Sequence, residues 1–223
     1  MAEARNGTQD PSPGLVRLPP GRHGLPREVV AQNQRDRLIA GIIATVAEVG
    51  YNDATISNIC AAAGISRRTF YTYFRSKEEC FFAAYDAIAE HVLATVREAS
   101  AREGSWPQKV RAAIAGALEV FAANPDLARF TLIEPPRAGE KISARLRAAG
   151  DVAVAELTRG KPKRARTISS DVERALLAGM AAVVSQRVEA GRGGDLLSLQ
   201  PELVELFLTP YIGRDKAVAI ARD

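Results

Sequence analysis

From residue 38 onward, apolar side chains recur at spacings of three and four, the period of helices buried on one face. Leu38, Ile42 and Val46 form the first stripe, flanked by Ile39 and Ile43, and Gly50 is placed to close that helix. Ile56, Ile59 and Ala63 predict a short second helix that begins after Thr55 and ends at Gly64. Ser66 is placed to cap a third, running through Phe74. Ser76-Lys77-Glu78-Glu79 reads as a capping box. It opens a long fourth helix with Phe81, Tyr85, Ile88 and Val92 on one face. Val110, Ile114, Leu118 and Phe121 mark a fifth. Asn124-Pro125 caps a sixth, with proline tolerated at its first position, and Pro135-Pro136 ends it. Ile142, Leu146, Ala153 and Leu157 mark a seventh; Val172, Leu176, Met180, Val183 and Val184 an eighth. Leu203, Leu206 and Phe207 mark a ninth, followed by Pro210 and a short tail helix. No segment alternates long enough to suggest a strand, so the expected fold is all-α.

The composition sets the class. The chain has 223 residues, 47% hydrophobic and 25% charged, as in ordinary soluble globular proteins. Wholesale disorder and collagen-like structure are excluded. The longest nearly apolar runs, 112–123 and 175–185, fall short of the roughly 20 residues a membrane span needs. The N-terminus has no apolar core of a secretory signal. Cys60 and Cys80 are too few for a disulfide framework, so a reducing cytoplasm is the expected compartment. Residues 1–26 hold five prolines and four glycines, which predicts a mobile arm. The expected organisation is therefore an arm over 1–26, a three-helix head over 27–77, and a helical bundle over 78–223.

Charge narrows the function. The net charge is +4. Ser66 to Lys77 contains Arg67, Arg68, Arg75 and Lys77 and no acid, so this window alone accounts for the whole excess. A local basic cluster points to a polyanion. The second and third helices, parted by Gly64, have the form of a helix-turn-helix, whose second helix offers its N-terminal end to the major groove. Arg67 and Arg68 lie in the first turn of that helix, where cations oppose the helix dipole. Tolerating that cost implies an anionic partner. Thr69, Tyr71, Thr72 and Tyr73 add hydroxyl donors, and Lys77 begins the next helix. Phe70 and Phe74 share a face at i, i+4 and are expected in the core.

The run Thr55, Ile56, Ile59, Ala63-Gly64-Ile65-Ser66, Phe70-Tyr71, Tyr73-Phe74, Ser76-Lys77-Glu78 and Cys80 resembles the DNA-binding domain of TetR-family transcriptional regulators. The resemblance spans Arg35 to Tyr85. Beyond it the chain is similar to the family only in length and helix order. The resemblance implies a homodimer that binds a palindromic double-stranded DNA operator and lets go on binding a small effector. Carried over by motif position, it implies phosphate contacts from Thr55, Ser66, Tyr73 and Lys77. Arg67, Arg68, Thr69 and Tyr71 would face bases. Arg17, Arg22 and Arg27 of the arm would be within reach of the minor groove or backbone, unless the arm is a plain tail.

The same resemblance places an effector cavity in the bundle. Tyr85, Ile88, Val92, Leu118, Phe121, Phe130, Met180 and Val184 are its apolar candidates, with His91 and Glu134 as polar contacts. Each is equally an ordinary core or surface residue. Such a lining suits an apolar or amphipathic effector. The eighth and ninth helices resemble the family's dimer-forming pair. There Ala178, Gly179 and Ala182 permit close approach, and Leu176, Met180, Val183, Leu206 and Phe207 supply apolar area.

Other classes find less support. No Cys/His pair has metal-ligand spacing, and no nucleophile elbow or glycine-rich phosphate loop is present. Neither a catalytic role, a metal nor a cofactor is expected. A non-specific architectural DNA binder, and an activator in place of a repressor, stay open at this stage.

Overall fold

The structure is a computed structural model and describes residues 26–135, 140–163 and 165–223. Ten α-helices are described: α1 Arg27–Asp53, α2 Ile56–Ala63, α3 Arg67–Tyr73, α4 Lys77–Ala101, α5 Trp106–Ala123, α6 Pro125–Ala128, α7 Glu140–Thr158, α8 Ser170–Glu189, α9 Gln200–Ile212 and α10 Arg214–Arg222. A π-helical turn, Arg129–Ile133, continues α6, and a 3-10 segment, Gly193–Leu199, precedes α9. No strand occurs among the described residues. The all-α expectation holds. The arm, with Arg17 and Arg22, lies outside the described residues apart from Pro26, and Arg27 is the exposed first residue of α1.

Local chemistry sets the helix ends. Thr55 caps α2 and forms a full capping box with Asn58. Gly64 ends α2 in the left-handed region, φ 61° and ψ 39°, a conformation that costs glycine nothing. Ser66 caps α3 by accepting the Thr69 N–H at 3.1 Å. Ser76 caps α4 by accepting the Glu79 N–H at 3.1 Å. The return half of this predicted box goes elsewhere: the Glu79 carboxylate accepts the Arg75 N–H at 2.6 Å. Proline at 210 stands inside α9 rather than after it.

Apolar faces pack into two clusters. The first joins Leu38, Ile42 and Val46 of α1 to Ile59, Phe70, Phe74, Phe81 and Tyr85. It runs past residue 77 and takes in Ile88, Phe130 and Ile142. The second joins Trp106, Val110, Ile114 and Leu118 of α5 to Met180, Val184, Leu203, Phe207 and Tyr211. Glycines mark close helix approaches. A Cβ on Gly41 would lie 2.8 Å from the Ile59 carbonyl oxygen and 3.0 Å from Ala63 Cβ, so α1 and α2 touch backbone to backbone.

α8 turns a small-residue face outward. Ala175, Ala178 and Ala182 are exposed, and a Cβ added at Gly179 would meet nothing within 4 Å. Val172 at 43% and Leu206 at 40% exposure add apolar area beside it. Leu176 and Val183 are half-buried against the second cluster. Phe207 is a correction. It is wholly buried, 0% exposed, because it packs inside the second cluster, its ring 5.6 Å from that of Tyr211. Met180 likewise points into the core.

Candidate nucleic-acid interface

The head is assembled around α1. Arg37 reaches across from it to the end of α2. Its Nε and Nη2 donate to the Ala63 carbonyl at 3.0 and 2.6 Å, and Nη2 also donates to the Gly64 carbonyl at 2.9 Å. These carbonyls belong to the last turn of α2, where no intrahelical partner exists. One guanidinium thus fixes the turn between α2 and α3. Phe70, 0% exposed, anchors α3 from below, and the Arg35 guanidinium lies over the Phe74 ring at 5.7 Å.

With α3 held, its outer face is set. Arg67, Arg68, Tyr71 and Thr72 are exposed. Among the described residues no side-chain hydrogen bond or ion pair engages either guanidinium. The Tyr71 ring, 52% exposed, stands edge-on to Phe70 at 5.5 Å, which fixes its direction while leaving its hydroxyl outward. Thr69 shares a 2.9 Å hydroxyl contact with Ser66. The Thr72 hydroxyl donates back to the Arg68 carbonyl at 3.3 Å. Thr55 lies at the exposed start of α2. Thr55 thus lies at the N-terminal end of α2 and Ser66, Arg67, Arg68 and Thr69 at that of α3, while Tyr71 and Thr72 are exposed in its second half.

Two of the nine candidates are engaged elsewhere. The Tyr73 hydroxyl donates to Gln34 Oε1 at 2.8 Å and ties α3 to α1. Lys77 is the clearer correction. Its Nζ donates to the carbonyls of Tyr51, Asn52 and Ala54 at 2.7, 3.4 and 2.8 Å. An ammonium has three N–H groups, and all three are spent on the corner between α1 and α2. It also lies 4.3 Å from the centroid of the Tyr51 ring. Burial lowers its pKa, with Asp53 pulling the other way. Lys77 is a staple of the head, with no N–H left for phosphate.

Arg37 and Gln34 are the functional residues that sequence reasoning missed. Arg37 acts across 26 positions and Gln34 across 39, and helical periodicity carries no signal at such separations.

The matching family model is that of "Bacterial regulatory proteins, tetR family", over residues 38–84, the span from the α1 stripe through the helix-turn-helix into α4. The head therefore carries the N-terminal domain of TetR-family bacterial regulatory proteins. Solved structures of similar fold include the fatty acid degradation regulator FadR from Bacillus halodurans. It is 21% identical, with TM-score 0.70, over 78% of this chain and 94% of that one. FadR from Bacillus subtilis, solved in complex with stearoyl-CoA, is 19% identical with TM-score 0.65, over 78% and 98%. A curated relative, the fatty acid metabolism regulator protein of Bacillus subtilis strain 168, is 24% identical over 98 residues. That alignment covers 44% of this chain and 50% of the relative, so the chain matches about half that protein's length.

The effector candidates divide between the two apolar clusters. Tyr85, Ile88 and Phe130 are packed in the first cluster and Leu118, Met180 and Val184 in the second. Phe121 and Val92 are half-buried, with Val92 against both clusters. His91 is exposed on α4. Glu134 is 3% exposed and accepts the Tyr51 N–H at 2.8 Å, so its carboxylate serves the head. An open groove of about 470 Å³ lies instead between α4 and α7, lined by Phe82, Lys141, Ala144, Arg145 and Ala148. Its cations pair with α4: Arg145 with Asp86, and Lys141 with Glu78 at 3.7 Å. Among the described residues no cluster of His, Cys, Asp or Glu is placed to hold a metal ion. None of their helices is long and apolar enough to cross a membrane.

Proposed function

We propose that the chain is a repressor that binds a palindromic operator as a homodimer and releases it when a long-chain acyl-CoA binds the bundle. The observation that carries the DNA-binding part is the outward face of α3. Two arginines and a tyrosine stand unpaired there on a helix whose angle is fixed by Arg37, Phe70 and the Ser66 cap. Arg67, Arg68 and Tyr71 read base edges. Thr69 faces bases beside them, and Thr55, Ser66 and Thr72 set register on the phosphates.

One seven-residue reading helix covers few base pairs, and two copies about 34 Å apart read a palindrome. The uncovered face of α8, with Ala175, Ala178, Gly179 and Ala182, suits a second copy, because small side chains allow close helix approach. Val172, Val183, Leu176 and Leu206 would supply the apolar area.

The effector class rests on two supports. Relatives that share the fold include regulators named for fatty acid metabolism, one of them holding stearoyl-CoA. The groove beside α7 joins the apolar side chains Phe82, Ala144 and Ala148 to Lys141 and Arg145, which an anionic head would share with their partners Glu78 and Asp86. Titrating stearoyl-CoA into the protein–operator complex tests this. Release by stearoyl-CoA and not by free coenzyme A is expected. No release by any acyl-CoA from short to long chains would remove the effector assignment and leave the DNA-binding reading standing.

A further inference from the structure

The corner that ends α1 is held from two directions. Gly50 breaks the helix there, with φ 78° and ψ 162°, and the amide that follows cannot be satisfied by the regular helical ladder. Glu134 supplies the acceptor, from 83 positions away, at 2.8 Å to the Tyr51 N–H. The carbonyl of the same residue accepts Lys77 Nζ at 2.7 Å. The Tyr51 ring stands edge-on to Phe81 at 4.9 Å, and Phe81 stacks on Phe130 at 4.2 Å. Tyr51 is therefore gripped by its N–H from the bundle, by its C=O from α4, and by its ring through Phe81.

Both bundle-side groups come from one short segment. Phe130 lies in the π-helical turn and Glu134 caps it, with the Glu134 N–H returning to the Arg129 carbonyl at 3.1 Å. A π turn carries one residue more per hydrogen-bonded ring than an α-helix, and such turns recur at functional sites. Any rearrangement of this turn moves Phe130 and Glu134 together, and both bear on the Gly50–Ala54 corner. A buried carboxylate accepting an amide N–H is a strong, directional tie.

We infer that Glu134 is a positioning residue that sets the angle of the reading head on the bundle, and that effector occupancy reaches the head through its bond to Tyr51. The second half of this inference rests on the effector-controlled repressor proposed above; the first half does not.

The test uses the full-length chain with Glu134→Ala, Glu134→Gln and Glu134→Asp. Glutamine keeps an acceptor oxygen at the same reach, aspartate keeps the charge but falls short, and alanine keeps neither. Three quantities are read: hydrogen exchange at the Tyr51 amide, the half-site spacings selected from a random duplex library, and the ratio of operator Kd with and without stearoyl-CoA. Expected for alanine and aspartate are Tyr51 exchange faster by about tenfold or more, a broadened range of spacings, and a Kd ratio falling toward one. Glutamine should stay near the parent in all three. If alanine fails to fold, aspartate against glutamine decides the matter alone. Parental amide protection and spacing in the aspartate variant, or glutamine behaving no better than aspartate, would overturn the inference. If stearoyl-CoA releases nothing from the parent protein, the effector assignment fails by itself, while exchange and spacing still judge the tie.

Discussion

At the scale of single residues, the basic window from Ser66 to Lys77 divides into two kinds of cation. Arg67 and Arg68 are exposed and uncommitted, whereas Lys77 is spent on three carbonyls. Arg68→Ala should weaken the specific operator by about 1–3 kcal/mol and relax its sequence preference. Fluorescence anisotropy against operator and random duplexes measures both, and equal loss on the two would refute base reading. Lys77→Met should behave differently. Three carbonyls lose a charged donor, so urea unfolding should show a loss of about 1–3 kcal/mol. The salt dependence of DNA binding should stay at the parental slope; a slope lowered by about one would restore the phosphate role. Net charge in a sequence window identifies the basic surface but not which cation is already satisfied. Lys77 reads as a phosphate contact in sequence because its partners lie 23 to 26 positions upstream. Glu134 is misread for the same reason: its partner belongs to another part of the fold.

At the scale of elements, capping chemistry decides where helices begin and end. Thr55 with Asn58, the Gly64 turn, Ser66 and Ser76 are all local signals, and each predicted boundary of α2, α3 and α4 follows from them. What local pattern does not encode is irregular helix. The π turn at Arg129–Ile133 and the 3-10 segment at Gly193–Leu199 arise from packing. A Cβ on Gly193 would sit 2.5 Å from the Pro125 side chain, a contact invisible to periodicity. Cavities are not encoded either: an apolar stripe says which face is buried, not whether it borders core or cavity. Packing between α1 and α2 gives a direct check. Gly41→Ala forces a methyl against the Ile59 carbonyl oxygen and Ala63, and overpacking of this kind costs about 1–3 kcal/mol. Thermal unfolding should show that loss, and operator affinity should fall with it because α2 carries the turn that aims α3. An unchanged melting temperature would mean that α1 and α2 separate freely.

At the scale of the whole molecule, the reading head, the tie at Tyr51 and the uncovered α8 face are the three parts that the proposed dimer needs. Glu at position 182 would set two carboxylates against each other across a two-fold axis. Ala182→Glu should therefore halve the mass seen by light scattering and lower operator affinity by about tenfold or more, since the two heads lose their linkage. A dimer of undiminished mass would move the interface away from α8. The measurement that bears most directly on the central claim is selection of bound sequences from a random duplex library at increasing salt. An enriched inverted repeat with half-sites one helical turn apart is the expected result. Salt-sensitive binding with no enriched motif, from protein shown to be free of bound ligand, would contradict it.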